Sequence, residues 1–206
     1  MPKLSEQARR ERIERILDGA RRCFARHGYE GATVSRLEEE IGLSRGAIFN
    51  WFSSKEELFV ALASRDNERL LRLFADEGFE PLVRAMTEED ADWRAVYLEF
   101  GRRFRSDPEF RRRWQEERSP ADVRRRVDER IEAEQRAGRL RSDLTISEIG
   151  RFLGLVLDGI VTQRGLGFEA PDPDLVVRLV DDALRQRGRV SPRARPRRRS
   201  GTPPAA

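Results

Sequence analysis

Apolar residues recur at three- and four-residue intervals along most of the chain, the period of a helix. Over residues 7–27, Ile13, Ile16, Leu17, Ala20 and Phe24 fall on one helical face, and Gly28 stops the run. The pattern then shortens. Thr33 can cap a helix at 34–40 whose apolar side is Val34, Leu37 and Ile41. Gly42-Leu43-Ser44 turns the chain: Gly42 gives the backbone freedom, Leu43 plugs inward and Ser44 caps the next helix. That helix spans about 45–51, with Ile48 and Phe52 on its inner side. Two short helices about a Gly-containing turn predict a helix-turn-helix. A second helix only ~10 Å long suits entry of its N-terminal end into a major groove.

Ser54-Lys55-Glu56-Glu57 has the spacing of a capping box and opens a long helix to about Phe74. Pro81 and the acidic run 88–92 predict a loosely held connector. A helix over about 92–105 carries Trp93, Val96, Tyr97, Phe100 and Phe104. Pro108 restarts the helix, Pro120 interrupts it, and 121–137 runs on to Gly138. Segment 146–162 is apolar around most of its circumference and needs neighbours on several sides. A Gly- and Pro-rich loop separates it from a last amphipathic helix at 173–186. The expected fold is all-α: a three-helix head over 1–53, a bundle of about six helices over 54–187, and a disordered basic tail over 188–206.

Charge adds direction. The net charge of +4 divides into +3 over residues 1–55, −5 over the middle and +6 over 188–206. Basic ends suit a polyanion and an acidic middle does not, so contact with nucleic acid belongs at the ends, chiefly the first. Arg9, Arg10, Arg12 and Arg15 line the outer face of the first helix. They are either phosphate-attracting or simply solvated. Cys23 is the only cysteine, which excludes an intrachain disulfide, and His27 is the only histidine. There is no P-loop, dinucleotide glycine pattern or paired Glu-x-x-His, which argues against an enzyme. No apolar run is long enough for a membrane span, and no signal-peptide core follows the basic N-terminus; a cytoplasmic protein is expected.

Residues 33–58, from Thr33-Val34-Ser35-Arg36 through Gly42-Leu43-Ser44-Arg45-Gly46-Ala47-Ile48-Phe49-Asn50-Trp51-Phe52 to Ser54-Lys55-Glu56-Glu57-Leu58, resemble the DNA-binding motif of the TetR family of repressors. The resemblance is sharp over about residues 10–60. It implies an Ω-shaped homodimer on double-stranded operator DNA, an effector pocket in each C-terminal domain, and pairing through the last two helices. The candidate interface is then Leu153, Leu157, Ile160, Val176, Leu179, Val180 and Ala183. The DNA-contacting set is Thr33, Arg45, Gly46, Ala47, Phe49, Asn50, Trp51 and Lys55. Arg45 can pair with guanine or a phosphate, and Asn50 with adenine or a phosphate. Thr33 and Lys55 sit at helix N-termini that favour phosphate. Trp51 is more suited to packing than to reading a base. Phe49 stands where the family usually has a phosphate-contacting Tyr, Ala47 where Thr is frequent, and Glu38 where Ala is usual.

A finer resemblance, carried by Ile16-Leu17-Asp18-Gly19-Ala20-Arg21-Arg22-Cys23-Phe24, Ser44–Phe49 and Leu155-Val156-Leu157-Asp158-Gly159, is to the actinobacterial aconitase-repressor branch of the family. It implies a small-molecule effector, a tricarboxylate with magnesium, at Glu99, Arg102 or Arg103, Arg130 and Asp181, with no obligatory cofactor and no firm metal site. The rival lining is Trp93, Tyr97, Phe100 and Phe104, a set that core packing also explains. A helical scaffold that binds a different protein through 146–162 and 173–186 is the alternative function.

Overall fold

A computed structural model describes residues 5–88, 92–117 and 119–185, apart from the side chains of 92–95, 102 and 117. The tail over 188–206 and most of the acidic run lie outside them. The described residues form eleven helices, and their only strand-like pairing is an isolated bridge between Leu140 and Arg185. The head comprises α1 (Glu6–Gly31), α2 (Val34–Ile41) and α3 (Arg45–Phe49). The remainder comprises α4 (Lys55–Glu77), α5 (Phe79–Glu88), α6 (Asp92–Glu99), α7 (Gly101–Ser106), α8 (Pro108–Glu117), α9 (Ala121–Arg136), α10 (Ile146–Gly165) and α11 (Pro173–Leu184). None of these helices is long and apolar enough to cross a membrane.

Local chemistry sets the helix ends. The hydroxyls of Thr33, Ser44 and Ser54 accept the N–H of Arg36, Ala47 and Glu57, capping α2, α3 and α4. The Glu57 carboxylate reaches back to Ser53 N–H, one residue beyond the expected partner. Gly42 takes φ 69°, ψ 37°, the left-handed conformation that turns α2 into α3. Gly28 takes φ 67°, ψ 179°, so the helical part of α1 ends there and a short turn follows. After the head there are eight helical segments where about six were expected. Pro81 does not mark a loose connector: it sits in the first turn of α5, where its missing N–H costs nothing. The run over 92–105 is divided at Phe100, where the backbone tightens and Phe100 N–H reaches Tyr97 O at 3.2 Å.

Two buried clusters hold the helices together. One joins α1, α2, α3 and the start of α4 to Val96, Phe100, Phe110 and Trp114. Phe59 lies flat on Phe100 at 4.3 Å and meets Phe24 edge-on at 5.5 Å. The head's core therefore runs across residue 53 into the second domain. The other cluster joins the end of α4 with α5, α9, α10 and α11 through Phe74, Val83, Ile131, Ile149 and Val180.

Gly19 of α1 lies against Ile41 of α2. A Cβ there would stand 2.6 Å from Ile41 Cγ1 and 2.9 Å from Ile41 Cα. Backbone on the far side cannot swing away, so Gly19→Ala is expected to cost about 1–3 kcal/mol in urea unfolding. Adding Ile41→Ala should recover part of that loss; if the two losses simply add, the contact is not the cause.

The Glu40 carboxylate ties α2 to α1 by accepting from Arg22 Nε and Arg26 Nη1, both at 2.8 Å. The Arg22 hydrogen bond holds its carboxyl below the usual value. The depressed value means that this stabilisation is complete above the ordinary carboxylate range and is lost as pH falls through the lowered one. Both arginines are exposed, so the contribution is below about 1 kcal/mol. Glu40→Gln should therefore weaken the chain at neutral pH and flatten its loss of stability in acid. Superposable stability–pH curves for the two proteins would reject this.

Candidate nucleic-acid interface and effector cavity

The recognition helix α3 is only five residues long, and its fold follows from its neighbours. Ile48 is fully buried and Phe52 nearly so, against Leu37 and Ile41. This turns Arg45, Gly46 and Asn50 outward; all three are exposed. Ala47 is half-buried, and nothing stands within 4 Å of a Cβ built on Gly46, so the outer side of α3 is open. Phe49 is half-buried against the core, which suits a ring without a hydroxyl. Trp51 also packs there, with Arg9 above its ring at 5.3 Å.

Two polar contacts brace this unit. Glu38 accepts Arg45 N–H at 2.6 Å, so its carboxylate caps the first turn of α3. That is the structural use of an acid where the family usually has Ala, and it puts negative charge where a phosphate would otherwise be welcome. Arg36, on the same helix, donates to Gly31 O at 2.7 Å. Thr33 is exposed at the start of α2. Lys55 is not presented as a free cation: its Nζ donates to Tyr29 O at 2.8 Å and stands 4.3 Å over the Tyr29 ring. Burial, helped by the charges of Glu56 and Glu30, pushes the Tyr29 hydroxyl up to about 12. Of the candidate set, Thr33, Arg45, Gly46 and Asn50 are exposed and Ala47 half-buried, while Phe49, Trp51 and Lys55 also serve the packing of the head.

The expected effector residues do not gather around one space. Glu99 accepts Tyr29 N–H at 3.1 and 3.0 Å and Glu30 N–H at 3.4 Å, holding the turn after α1. Arg103 pairs with Glu56 and stands 4.6 Å over the Phe110 ring. Arg130 donates to Asp76 O at 3.2 Å and pairs with Glu134, bracing the turn between α4 and α5. Asp181 is exposed on α11. The Arg102 side chain lies outside the described residues. In a chain rich in Arg and Glu, Glu99, Arg103 and Arg130 each find partners within the protein's own fold.

A cavity of about 400 Å³ lies between α4, α5, α6, α7, α8 and α10. Leu70, Leu71, Leu82, Met86, Leu157 and Val161 give it apolar walls. Tyr97, Phe104 and Trp114 add three aromatic rings, and Asp66, Asn67, Asp158 and Thr162 the polar edges. Tyr97 and Phe104 come from the rival lining, whereas Phe100 belongs to the core and the Trp93 side chain lies outside the described residues. Trp114 was missed because α8 looks polar; only its i, i+4 relation to Phe110 marks an inner face.

The expected pairing surface also changes. Leu153, Ile160 and Val180 are buried within the chain's own second cluster, and Leu157 lines the cavity. Val176 packs against that cluster and Ala183 is half-buried. Leu179 remains exposed at 59%, joined by Leu155 at 68%, Phe168 at 64%, Leu166 and Leu175. On α10, Ile149, Leu153 and Ile160 mark the inner stripe, so Leu155 lies on the opposite one.

Cys23 is fully buried and its thiol is pushed up, chiefly by burial, so it is no ready thiolate. Among the described residues no three His, Cys, Asp or Glu side chains are placed to hold a metal ion.

A capped helix-turn-helix, joined through one core to a cavity-bearing helical domain, defines a DNA-binding regulator. Residues 16–62 match the family model for bacterial regulatory proteins of the tetR family, and 64–188 match that for the C-terminal domain of BetI-type transcriptional repressors. The chain belongs to the TetR family of transcriptional regulators. It is 43% identical over 187 residues to the transcriptional repressor AcnR of Corynebacterium diphtheriae, covering 90% of this chain and 97% of that one. It is 40% identical over 188 residues to the repressor Rv1474c of Mycobacterium tuberculosis, covering 90% and 100%. Among solved structures, Salmonella enterica GusR superposes with a TM-score of 0.65 at 23% identity, over 89% of this chain and 99% of that one. A Saccharomonospora viridis regulator determined in complex with choline gives 0.60 at 22% identity, over 84% and 94%.

Proposed function

We propose that this regulator is a ligand-responsive repressor that binds a palindromic operator as a homodimer. The observation that carries the reading is α3: its inner side is locked into the core while Arg45 and Asn50 stand exposed beside its open outer side. In a twofold dimer, two such helices meet half-sites about 34 Å apart or a multiple of that. The exposed apolar residues of α10 and α11, with Leu166 and Phe168 from the loop between them, are the pairing surface. The head, residues 1–53, contacts DNA, and the remaining folded domain holds the effector in the cavity. Repression is the direction shared with the named relatives.

Helix α6 connects cavity to head. Tyr97 and Leu98 line the cavity, and the next residue, Glu99, holds the turn that leads into α2. A ligand that binds better when α6 is displaced shifts the population away from the DNA-competent spacing.

Fluorescence anisotropy with the promoter fragment beside the protein's own gene, and with genome-selected fragments, tests this. Salt-sensitive, sequence-specific binding is expected. Arg45→Ala should weaken it at least tenfold, in line with about 1–3 kcal/mol for a base-reading arginine. Absence of specific binding at every fragment would leave the scaffold alternative in its place.

A further inference from the structure

We infer that the arginine-rich tail over 188–206 holds a second DNA duplex, so that one dimer bridges its operator to another segment of DNA. This rests on the proposed dimer on its operator and adds a second nucleic-acid contact at the opposite pole.

The point where the tail begins is set by α4 and α9. Helix α4 starts at the head, where Lys55 Nζ donates to Tyr29 O, and its 23 residues carry it about 35 Å away. Helix α9 runs beside it in the same direction. Asn67 Nδ2 donates to Ser119 Oγ at 2.7 Å, Arg72 stands 3.6 Å from Asp122, and Asp76 takes contacts from Arg126 and Arg130. Helix α9 then passes Asp76 and ends at Arg136. There Gln135 donates to Arg141 O and Leu144 O at 2.9 and 2.8 Å, folding the chain back. Arg141 N–H donates to Leu184 O at 2.8 Å, and Leu140 bridges to Arg185. Arg185 is therefore at the end of the molecule far from the head, and the tail follows from there.

Reach decides what the tail can serve. A chain spans at most about 3.4 Å per residue, which bounds Arg189 at about 14 Å from Arg185, Arg195 at about 34 Å and Arg199 at about 48 Å. Arg189, Arg193 and Arg195 thus fall short of the start of α4. Arg197, Arg198 and Arg199 pass it only near full extension, with α3 still beyond. The six arginines are too far from the operator held by their own head.

In the dimer both heads face one duplex, so both tails begin on the side turned away from it. That side carries twelve arginines, six from each copy, and the tail has no acidic residue. Such a charge density attracts a polyanion through counterion release. Val190 is the tail's only bulky apolar residue, so it has little to insert into a bilayer. DNA continuous with the operator supplies a polyanion at high local concentration.

A capture assay on the full chain tests this. The protein is loaded on an immobilised operator duplex and offered a labelled operator-free duplex. Capture is expected at about 50 mM salt and should be lost near 200 mM. Removing 188–206, or replacing its six arginines by serine, should cut capture at least tenfold. Operator affinity by anisotropy should stay within about twofold. The Arg45→Ala chain, with its weakened head, should bind the operator-free duplex at least tenfold more tightly with its tail than without it. If removal of the tail lowers operator affinity as far as capture, the tail serves the operator and the bridge is overturned. Undiminished capture without the tail overturns it as well, and so does preferential capture of single-stranded RNA of equal length. If no operator is bound at all, the repressor reading fails, and the Arg45→Ala pair still reads the tail.

Discussion

Leu179→Asp is expected to weaken operator binding by about a hundredfold or more while leaving the protomer folded. The side chain is 59% exposed, so its replacement removes little from the chain's own core. In a twofold pairing it occurs on both subunits, and each subunit presents the same patch to the other. A carboxylate on that patch must then lose water without gaining a partner, a cost of several kcal/mol shared by two copies. Light scattering should report a mass near 23.9 kDa for the variant and about twice that for the parent. Loss of the dimer separates the two heads, and with them the gain of ~10²–10⁴ that linkage confers on a second binding event. Leu153→Ala is the contrasting variant: that side chain is buried in the protomer, so stability should fall by about 2–5 kcal/mol with the pairing surface intact. If Leu179→Asp remains a dimer with parental operator affinity, α10 and α11 do not pair through this face.

The difference between these two leucines shows where the sequence was legible. The helix-turn-helix could be read because its determinants are local: Thr33, Ser44 and Ser54 each cap a helix within three residues, and Gly42 is the turn. Segment 146–162 could be read as a helix needing several neighbours, but an apolar circumference does not say which stripe faces inward. The stripe is set by α5 and α9, which pack Leu153 and Ile160 inward and leave Leu155 outside. In the sequence, Glu38 stands out only as an acid where the family usually has Ala. Its value as a cap depends on the return of the chain at Arg45, seven residues on, in one particular turn geometry. The partners of the candidate effector residues were hardest to read, because most are distant in sequence: Arg103 pairs with Glu56 and Arg130 donates to Asp76. Glu99 holds a backbone turn 70 residues away, and no pattern of charges along the chain encodes that.

Gly28→Ala is expected to destabilise the chain by about 3 kcal/mol, through two causes that can be separated. At φ 67°, ψ 179° the backbone is in a region that essentially only glycine occupies, at a cost of about 1–3 kcal/mol for another residue. A Cβ would also lie 2.7 Å from Glu99 Oε1 and push the carboxylate off the N–H groups of Tyr29 and Glu30. Glu99→Ala removes the second cause and leaves the first. The two substitutions together should therefore cost about 1 kcal/mol less than the sum of their separate losses. Hydrogen exchange gives a site-specific measure: the Tyr29 and Glu30 amides should exchange several-fold faster in Glu99→Ala, with the core of α4 unchanged. Additive losses, or unchanged exchange at residues 29 and 30, would show that α6 does not grip the turn. If it does, Glu99→Ala should also uncouple cavity from operator. A bound ligand would still displace Tyr97 and Leu98, but the displacement would no longer reach the turn that sets the start of α2.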